Sequence, residues 1–215
     1  MDFFGGRCIL NIIMKKLILA SSVSPSIYEA EYLFDKPFGE LRIAVVPTAA
    51  NAETGDKQWF QNNLQVFRDK GCTLVTVELE GKTEGELRTE CAGFDAVFIT
   101  GGNTYYLLYH MQQSGFDKVV TDLVRSGVVY IGSSAGSVVA CPNINTASGD
   151  DASVVPLSNY TGLGFVTYCI VPHLNKAKYA AVAQEFAHKE DGCSYIGLTD
   201  AQILVVEDDF TKILA

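Results

Sequence analysis

The sequence predicts an α/β fold in which a mostly parallel sheet is flanked by helices on both faces. Short apolar runs alternate along the chain with longer amphipathic stretches, which is the pattern of strands joined by crossover helices. The chain has 215 residues, of which 48% are hydrophobic, so it can bury the core of one domain. We therefore expect a single α/β domain over residues 14–215.

Eight segments are predicted as strands because they are short, apolar and rich in Val, Ile, Leu or Phe. Several are apolar at nearly every position, which is typical of strands that are buried on both faces of a sheet. The predicted strands cover residues 16–20, 42–47, 73–78, 96–100, 128–132, 165–171, 195–198 and 203–207.

Six segments between these strands are predicted as helices because apolar residues recur at helical spacing, as Phe60, Leu64 and Phe67 do. The predicted helices cover residues 56–69, 83–89, 103–114, 117–125, 135–140 and 176–189. Residues 141–164 instead are rich in Asn, Ser, Thr, Gly and Asp and have little periodicity, which indicates a long functional loop.

Residues 1–13 are expected to be an N-terminal extension, because the second methionine, Met14, begins a segment that is typical of a natural start. The apolar run after Lys15 and Lys16 is much shorter than the roughly 7–15 residues of a signal peptide. No apolar run approaches the roughly 20 residues of a membrane span. We therefore expect a cytoplasmic protein with no membrane partner.

Composition and residue spacing exclude several classes of function. The formal net charge is −9, and no run of Lys or Arg interleaves with aromatic residues, so no nucleic-acid partner is expected. The six cysteines form no Cys-x-x-Cys pair, and the three histidines lack the His-Glu-x-x-His spacing of zinc hydrolases. We expect neither a metal nor a cofactor.

Residues 132–136, Gly-Ser-Ser-Ala-Gly, form a turn between a predicted strand and a predicted helix. This is the setting that a nucleophile elbow requires, because glycines flank a turn that is too tight for neighbouring side chains. The alternative is an ordinary glycine-rich turn, and Ser133 and Ser137 do not hold its central position. The motif therefore predicts Ser134 as the nucleophile of a serine hydrolase.

A second strand-to-helix junction lies at residues 100–104, Thr-Gly-Gly-Asn-Thr. Its backbone N–H groups should lie at the carboxyl edge of the sheet, where α/β sites form. A phosphate-binding loop would carry a lysine after the glycines, but Tyr105 and Tyr106 stand there. We predict that the N–H groups of Gly102 and Ala135 form an oxyanion hole.

His173 is the predicted general base because it directly follows the strand 165–171 and so reaches the same edge of the sheet. His110 lies inside a predicted helix, and His188 lies at a charged helix end. Two aspartates remain for the group that orients the histidine. Asp151 lies in the irregular loop, whereas Asp200 follows the strand 195–198, and the residues alone leave both open.

Four motifs in this order resemble those of the peptidase E group, named for the aspartyl dipeptidase of bacteria. They are residues 99–104, residues 130–136 with 140–142, residues 172–173 and residues 196–198. The resemblance implies a glutamine-amidotransferase-like sheet, which is a flavodoxin-like three-layer sandwich, and hydrolysis of short peptides by a serine-centred triad. It matches Ser134 and His173 to the nucleophile and base and aligns the family's acid with Asp151. Asp200 stands where the family has a glutamate.

The chain departs from the peptidase E pattern at two places. Ser133 replaces a common tryptophan, which opens the pocket wall, and only Lys176 and Lys178 stand where the family has an Arg-bearing helix. Lysine is a poorer bidentate partner for a carboxylate than arginine, so the resemblance does not carry aspartyl specificity. It implies a small peptide as substrate. We expect a monomer or small homo-oligomer.

Two other functions fit parts of this pattern. A non-catalytic small-molecule binder could keep the same fold and pocket. A small esterase of the α/β-hydrolase fold would share the order Ser, Asp, His, but that fold places its histidine far later than the 39 residues that separate Ser134 from His173 here.

Overall fold

The computed structural model describes residues 15–147, 154–187 and 193–215, so residues 1–13 and Asp151 lie outside the described residues. The strands are β1 Lys16–Ala20, β2 Arg42–Val46, β3 Thr73–Thr76, β4 Ala96–Ile99, β5 Val129–Ser133, β6 Tyr168–Val171, β7 Ser194–Gly197, β8 Ile203–Glu207 and β9 Phe210–Leu214. The α-helices are α1 Thr48–Asn51, α2 Gln58–Asp69, α3 Glu84–Glu90, α4 Thr104–Ser114, α5 Phe116–Arg125, α6 Ala135–Val139 and α7 Ala177–Ala187. Two 3₁₀ helices cover Pro25–Leu33 and Phe38–Glu40. Within the described ranges, no helix is both long and apolar enough to cross a bilayer.

The main sheet has seven strands in the order β3-β2-β4-β5-β1-β8-β9. The five strands from β3 to β1 run parallel, whereas β8 and β9 pair antiparallel at one side. Ile99 of β4 and Leu19 of β1 both pair with Gly132 of β5, so these three strands end at the same level. The residues that follow them therefore gather at the carboxyl edge of the sheet.

The core lies on both faces of this sheet, as alternation along β1 illustrates. Leu17 and Leu19 pack in a cluster with apolar residues of α3, α4, α5 and α6. Ile18 and Ala20 point the other way, into a cluster with the first 3₁₀ helix and α2. Each fully buried large aliphatic side chain contributes about 1.5–3 kcal/mol, so both faces stabilise the sheet. The predicted sheet with helices on both faces is confirmed.

Two of the predicted strands form a separate parallel sheet, β6-β7, in which Val171 pairs with Gly197. Strand β1 already pairs with β5 on one side and β8 on the other, so β6 cannot pair with it in the main sheet. The small sheet instead packs beside α6, and the hydroxyl of Thr146, which follows that helix, donates to the carbonyl of Ile170 at 2.6 Å. Its carboxyl end faces the same cleft as that of the main sheet.

The observed elements differ from the predicted ones mainly at their ends and at β9. Helix α2 begins at Gln58 rather than residue 56, because the Asp56 carboxylate accepts the Gln58 N–H at 2.9 Å. Strand β9 has four exposed residues out of five, so it lacks the apolar run that reveals the other strands. It is joined to β8 by a two-residue turn in which Asp208 takes a positive φ of 52° without a glycine.

Gly136 provides a test of how closely the strand ends pack. A Cβ at this position would lie 2.2 Å from the carbonyl oxygen of Ile99. We expect Gly136→Ala to lower the free energy of unfolding by about 2–4 kcal/mol in urea denaturation, because the turn and β4 must move apart. The control is Gly85→Ala in α3, where a Cβ meets nothing within 4 Å. It should stabilise the protein by about 0.5–1 kcal/mol through helix propensity, and equal stabilities of the two variants would contradict the close packing.

Candidate active site

A cleft of about 320 Å³ opens at the carboxyl edge of the main sheet. Three of its residues follow parallel strands directly or nearly so: Ser21 after β1, Gly101 after β4 and Ser134 after β5. His173 enters the same cleft from the end of β6. The topology thus brings together side chains that are far apart in the sequence.

Ser134 occupies a strained turn between β5 and α6. Its φ is 47° and its ψ is −105°, a conformation that typically costs a non-glycine residue about 1–3 kcal/mol. The Ser134 N–H donates to the carbonyl of Ala20 at 2.9 Å, which fastens the turn to β1. A Cβ at Gly132 would lie 2.6 Å from the carbonyl oxygen of Gly136, so the turn closes only with glycine there.

His173 lies next to Ser134, as the sequence predicts from its position after a strand. The Ser134 Oγ and the His173 Nε2 are 3.0 Å apart. The His173 backbone has a positive φ of 59°, and its ring is only 15% exposed. Of the other two histidines, His110 packs against Tyr106 in α4, and His188 lies outside the described residues.

Asp200 is the carboxylate that the structure brings to His173. Its Oδ1 lies 2.5 Å from the His173 Nδ1, on the side of the ring opposite Ser134. Because a carboxylate accepts the proton of Nδ1, we assign Nε2 as the acceptor for the Ser134 hydroxyl. Asp200 is held in turn by Asn175, whose side-chain oxygen accepts the Asp200 N–H at 3.1 Å. Asp151, the other residue predicted to orient His173, lies outside the described residues.

The surroundings of His173 lower its pKa below the ordinary value of histidine. Burial is the largest cause, and the nearby charge of Lys176 acts in the same direction, while Asp200 opposes both. Burial alone would raise the pKa of Asp200, but hydrogen bonds from His173 and Ser21 hold the pKa below its ordinary value. A neutral imidazole beside an ionised carboxylate is the state that a general base requires near neutral pH.

Of the two residues predicted to form an oxyanion hole, Gly102 lines the same cleft as Ser134, and Ala135 adjoins Ser134 in the sequence. Gly102 lines the cleft with a φ of 128°, and a Cβ there would lie 2.2 Å from the carbonyl oxygen of Ala49. Ala135 follows Ser134 as the first residue of α6. Only glycine fits position 102, because a side chain there would overlap the backbone of Ala49.

Ser21 and Trp59 are among the cleft residues that the sequence analysis did not predict. Ser21 donates to Asp200 Oδ1 at 2.9 Å, and its signal is a polar residue directly after the first strand. A Cβ added at Gly101 would lie 3.6 Å from the indole of Trp59 in α2. This indole therefore forms a wall of the cleft beside Ser134. The sequence around Trp59 predicts only a helix, because the local pattern does not show the cleft.

Comparison with known proteins supplies the family. The model of peptidase family S51 matches residues 17–214, almost the whole described chain. The chain belongs to peptidase family S51. The resemblance to peptidase E is therefore confirmed, and the protein is a peptidase.

Relatives of this S51 peptidase match it over most of their length. An uncharacterized peptidase of Listeria monocytogenes is 29% identical over 188 residues, which are 85% of this chain and 89% of the relative. A peptidase E of Nostoc is 29% identical over 217 residues, covering 94% and 86% of the two chains. The crystal structure of a Listeria monocytogenes protein described as a candidate peptidase E has a TM-score of 0.80 at 24% identity, covering 93% and 98% of the chains. That likeness shows the same fold.

Lys176 allows the electrostatics of this S51 peptidase site to be tested. Its Nζ lies 3.4 Å from both the His173 Nδ1 and the Asp200 Oδ2, so its charge disfavours the imidazolium. We expect Lys176→Met to raise the pKa of His173, because the protonated ring loses a repelling neighbour. The pKa is measured by NMR titration of ¹³C-labelled histidine. In wild type the midpoint should lie below the ordinary value of histidine, and Lys178→Met, which removes the same charge two residues away, should shift it less. An unchanged or lowered midpoint in Lys176→Met would contradict this account.

Proposed function

We propose that this S51 peptidase is a serine peptidase that hydrolyses dipeptides and other short peptides, with Ser134 as nucleophile and His173 as general base. The observation that carries the proposal is the 3.0 Å contact between Ser134 Oγ and His173 Nε2, with Asp200 on the far side of the ring. A nucleophile, a base and an orienting carboxylate in one row are the parts of a serine triad. The family membership supports the same class of chemistry.

In the proposed first step, the Ser134 Oγ attacks the peptide carbonyl while its proton moves to His173 Nε2. The carbonyl oxygen becomes an oxyanion, and the N–H groups of Gly102 and Ala135 donate to it. One such donor typically lowers the barrier by about 3–4 kcal/mol, because the dipoles are already oriented before charge develops. The imidazolium then gives its proton to the leaving amine, and an acyl-enzyme remains on Ser134.

In the proposed second step, water replaces the departed amine. His173, neutral again, accepts a proton from that water as its oxygen attacks the acyl carbonyl. The second tetrahedral intermediate collapses, the proton returns to Ser134 Oγ, and the carboxylic acid product leaves. Asp200 keeps the Nδ1 proton in place throughout and stabilises the imidazolium that forms in both steps.

The shape and charges of the cleft support a short substrate without strong selection for aspartate. A cleft of about 320 Å³ suits a ligand of dipeptide size rather than a folded chain. Lys176, a cationic residue that lines it, already pairs with Asp200 at 3.4 Å, so its charge is partly compensated. Glu53 also lines the cleft, and its charge would repel an acidic side chain of the substrate. Trp59 adds an apolar wall.

We also place this peptidase in the cytoplasm. Cys72, Cys91 and Cys141 are free, buried thiols. Thiols of this kind are typical of proteins from reducing compartments.

The nucleophile is tested by Ser134→Ala and His173→Ala in an assay with a dipeptide library. We expect each variant to lose at least ~10³-fold in kcat, because members of a triad act as a unit. A fluorophosphonate probe should label wild-type Ser134 and leave Ser134→Ala unlabelled. Turnover that persists in Ser134→Ala would exclude the serine mechanism. A wild-type protein that neither reacts with the probe nor cleaves any dipeptide would instead be a small-molecule binder, and cleavage of esters alone would indicate an esterase.

The orienting carboxylate is tested by Asp200→Asn. The amide can donate to Nδ1 and so favours the wrong histidine tautomer, which lowers kcat by about 10⁴ when it happens in a triad. Asp151→Asn is the comparison, since the resemblance assigns the family's acid to that position. We expect Asp200→Asn to lose more activity than Asp151→Asn at equal thermal stability. The opposite ranking would give the orienting role to Asp151.

A further inference from the structure

Ser21 is a fully buried serine that contacts both His173 and Asp200. It directly follows β1, and its exposed fraction is 0%. The Ser21 Oγ lies 2.6 Å from the His173 backbone nitrogen, 2.9 Å from Asp200 Oδ1 and 3.2 Å from His173 Nδ1. One hydroxyl group thus touches the backbone of the proposed base, its ring and the proposed acid.

The direction of each hydrogen bond follows from the protons available. The His173 backbone N–H can only donate, so the Ser21 oxygen accepts there. An ionised carboxylate can only accept, so the single Ser21 proton points to Asp200 Oδ1. The His173 Nδ1 proton goes to the same carboxylate oxygen at 2.5 Å. Ser21 therefore has its proton fully committed to Asp200 and its oxygen to the backbone of His173.

These bonds cross between the two sheets of the protein. Ser134 and Ser21 follow strands of the main sheet, whereas His173 and Asp200 follow strands of the small β6-β7 sheet. His173 also has the positive φ of 59°, a conformation that a non-glycine residue adopts only when its surroundings hold it there. Among the described residues, Ser21 is the one whose side chain binds both the backbone of His173 and the carboxylate of Asp200.

We infer that Ser21 is a positioning residue: its hydroxyl fixes His173 and Asp200 of the small sheet at the distance from Ser134 that proton transfer needs. The inference rests on the proposed function, because it assumes His173 as base and Asp200 as its acid partner. Ser21 does not touch the reacting atoms of a bound peptide in this role. It acts through the geometry of the pair and through the proton that it donates to Asp200.

Ser137 provides a matched control for burial and hydrogen bonding. It is also a fully buried serine of this region, and its hydroxyl lies 2.7 Å from the carbonyl of Ala20 and 2.9 Å from that of Gly132. Both of its partners are backbone groups of the main sheet. Ser137→Ala therefore removes a buried hydroxyl from the same strand ends without removing a bond to His173 or Asp200.

The kinetic test compares Ser21→Ala, Ser21→Cys and Ser21→Thr. We expect Ser21→Ala to lower kcat about 10- to 100-fold with KM changed less than about 3-fold, because a misplaced base impairs chemistry more than binding. Ser21→Cys, which fills the space but bonds weakly, should behave like Ser21→Ala, and Ser21→Thr should recover to within about 5-fold of wild type. Wild-type kcat in Ser21→Ala or in Ser21→Cys would overturn the inference.

An NMR titration of His173 tests the same inference without activity. Within the described part of the chain, the charged groups against this imidazole are Asp200 and Lys176, and Tyr179 of α7 packs with its ring centre 5.1 Å away. Without the Ser21 proton, the Asp200 carboxylate attracts the imidazolium more strongly, so the pKa of His173 should rise in Ser21→Ala. It should stay at the wild-type value in Ser137→Ala. Equal pKa values in wild type and a folded Ser21→Ala variant would overturn the inference.

The two proposals fail in different ways. If Ser134→Ala keeps its activity, the serine mechanism is wrong whatever the Ser21 variants do. If Ser134→Ala is inactive while Ser21→Ala keeps wild-type kcat and the wild-type pKa of His173, only the positioning role of Ser21 is wrong. Circular dichroism and thermal unfolding of each variant check that it is folded before its kcat and the pKa of its His173 are compared with wild type.

Discussion

The site depends on the close approach between the turn at Ser134 and the ends of the neighbouring strands. The Ser134 N–H binds the carbonyl of Ala20, and Gly136 lies so near the carbonyl of Ile99 that no side chain fits between them. These contacts hold a strained residue in place, and the strain is stable only because the packed strands around it cannot relax. Three strand ends are thereby kept at one level, and the cleft forms above them.

The two sheets have different tasks at this cleft. The main sheet is buried on both faces and presents the serine, whereas the small sheet presents the histidine and the aspartate. Leu198 donates its N–H to the carbonyl of Val171, and Leu174 donates to the carbonyl of Leu198, so the two loops of the small sheet are held as one unit. The distance between Ser134 and His173 is therefore set by the contacts that join the two sheets.

Local sequence patterns predicted the site residues whose positions depend on an adjacent strand or turn. Ser134 stands out because its glycine-rich turn lies between an apolar strand and a helix, and His173 because it follows a strand. The partner of His173 could not be chosen this way, since Asp200 lies 27 residues further on and only tertiary structure decides which carboxylate arrives. Ser21 is 152 residues from His173, and its position after a strand indicates the edge of the sheet but not that bond. Strand β9 escaped prediction because exposed strands lack an apolar run.

Trp59 has a consequence of a practical kind. It is the single tryptophan of the chain, it is 37% exposed, and it lies in the wall of the cleft. Indole emission responds to the polarity around the ring, so a molecule that displaces water from the cleft should change the emission of Trp59. Because the chain has no other tryptophan, all of the indole signal comes from this wall of the cleft. The enzyme thus carries a built-in optical sensor of occupancy, with which unlabelled ligands can be ranked before any cleaved product is known.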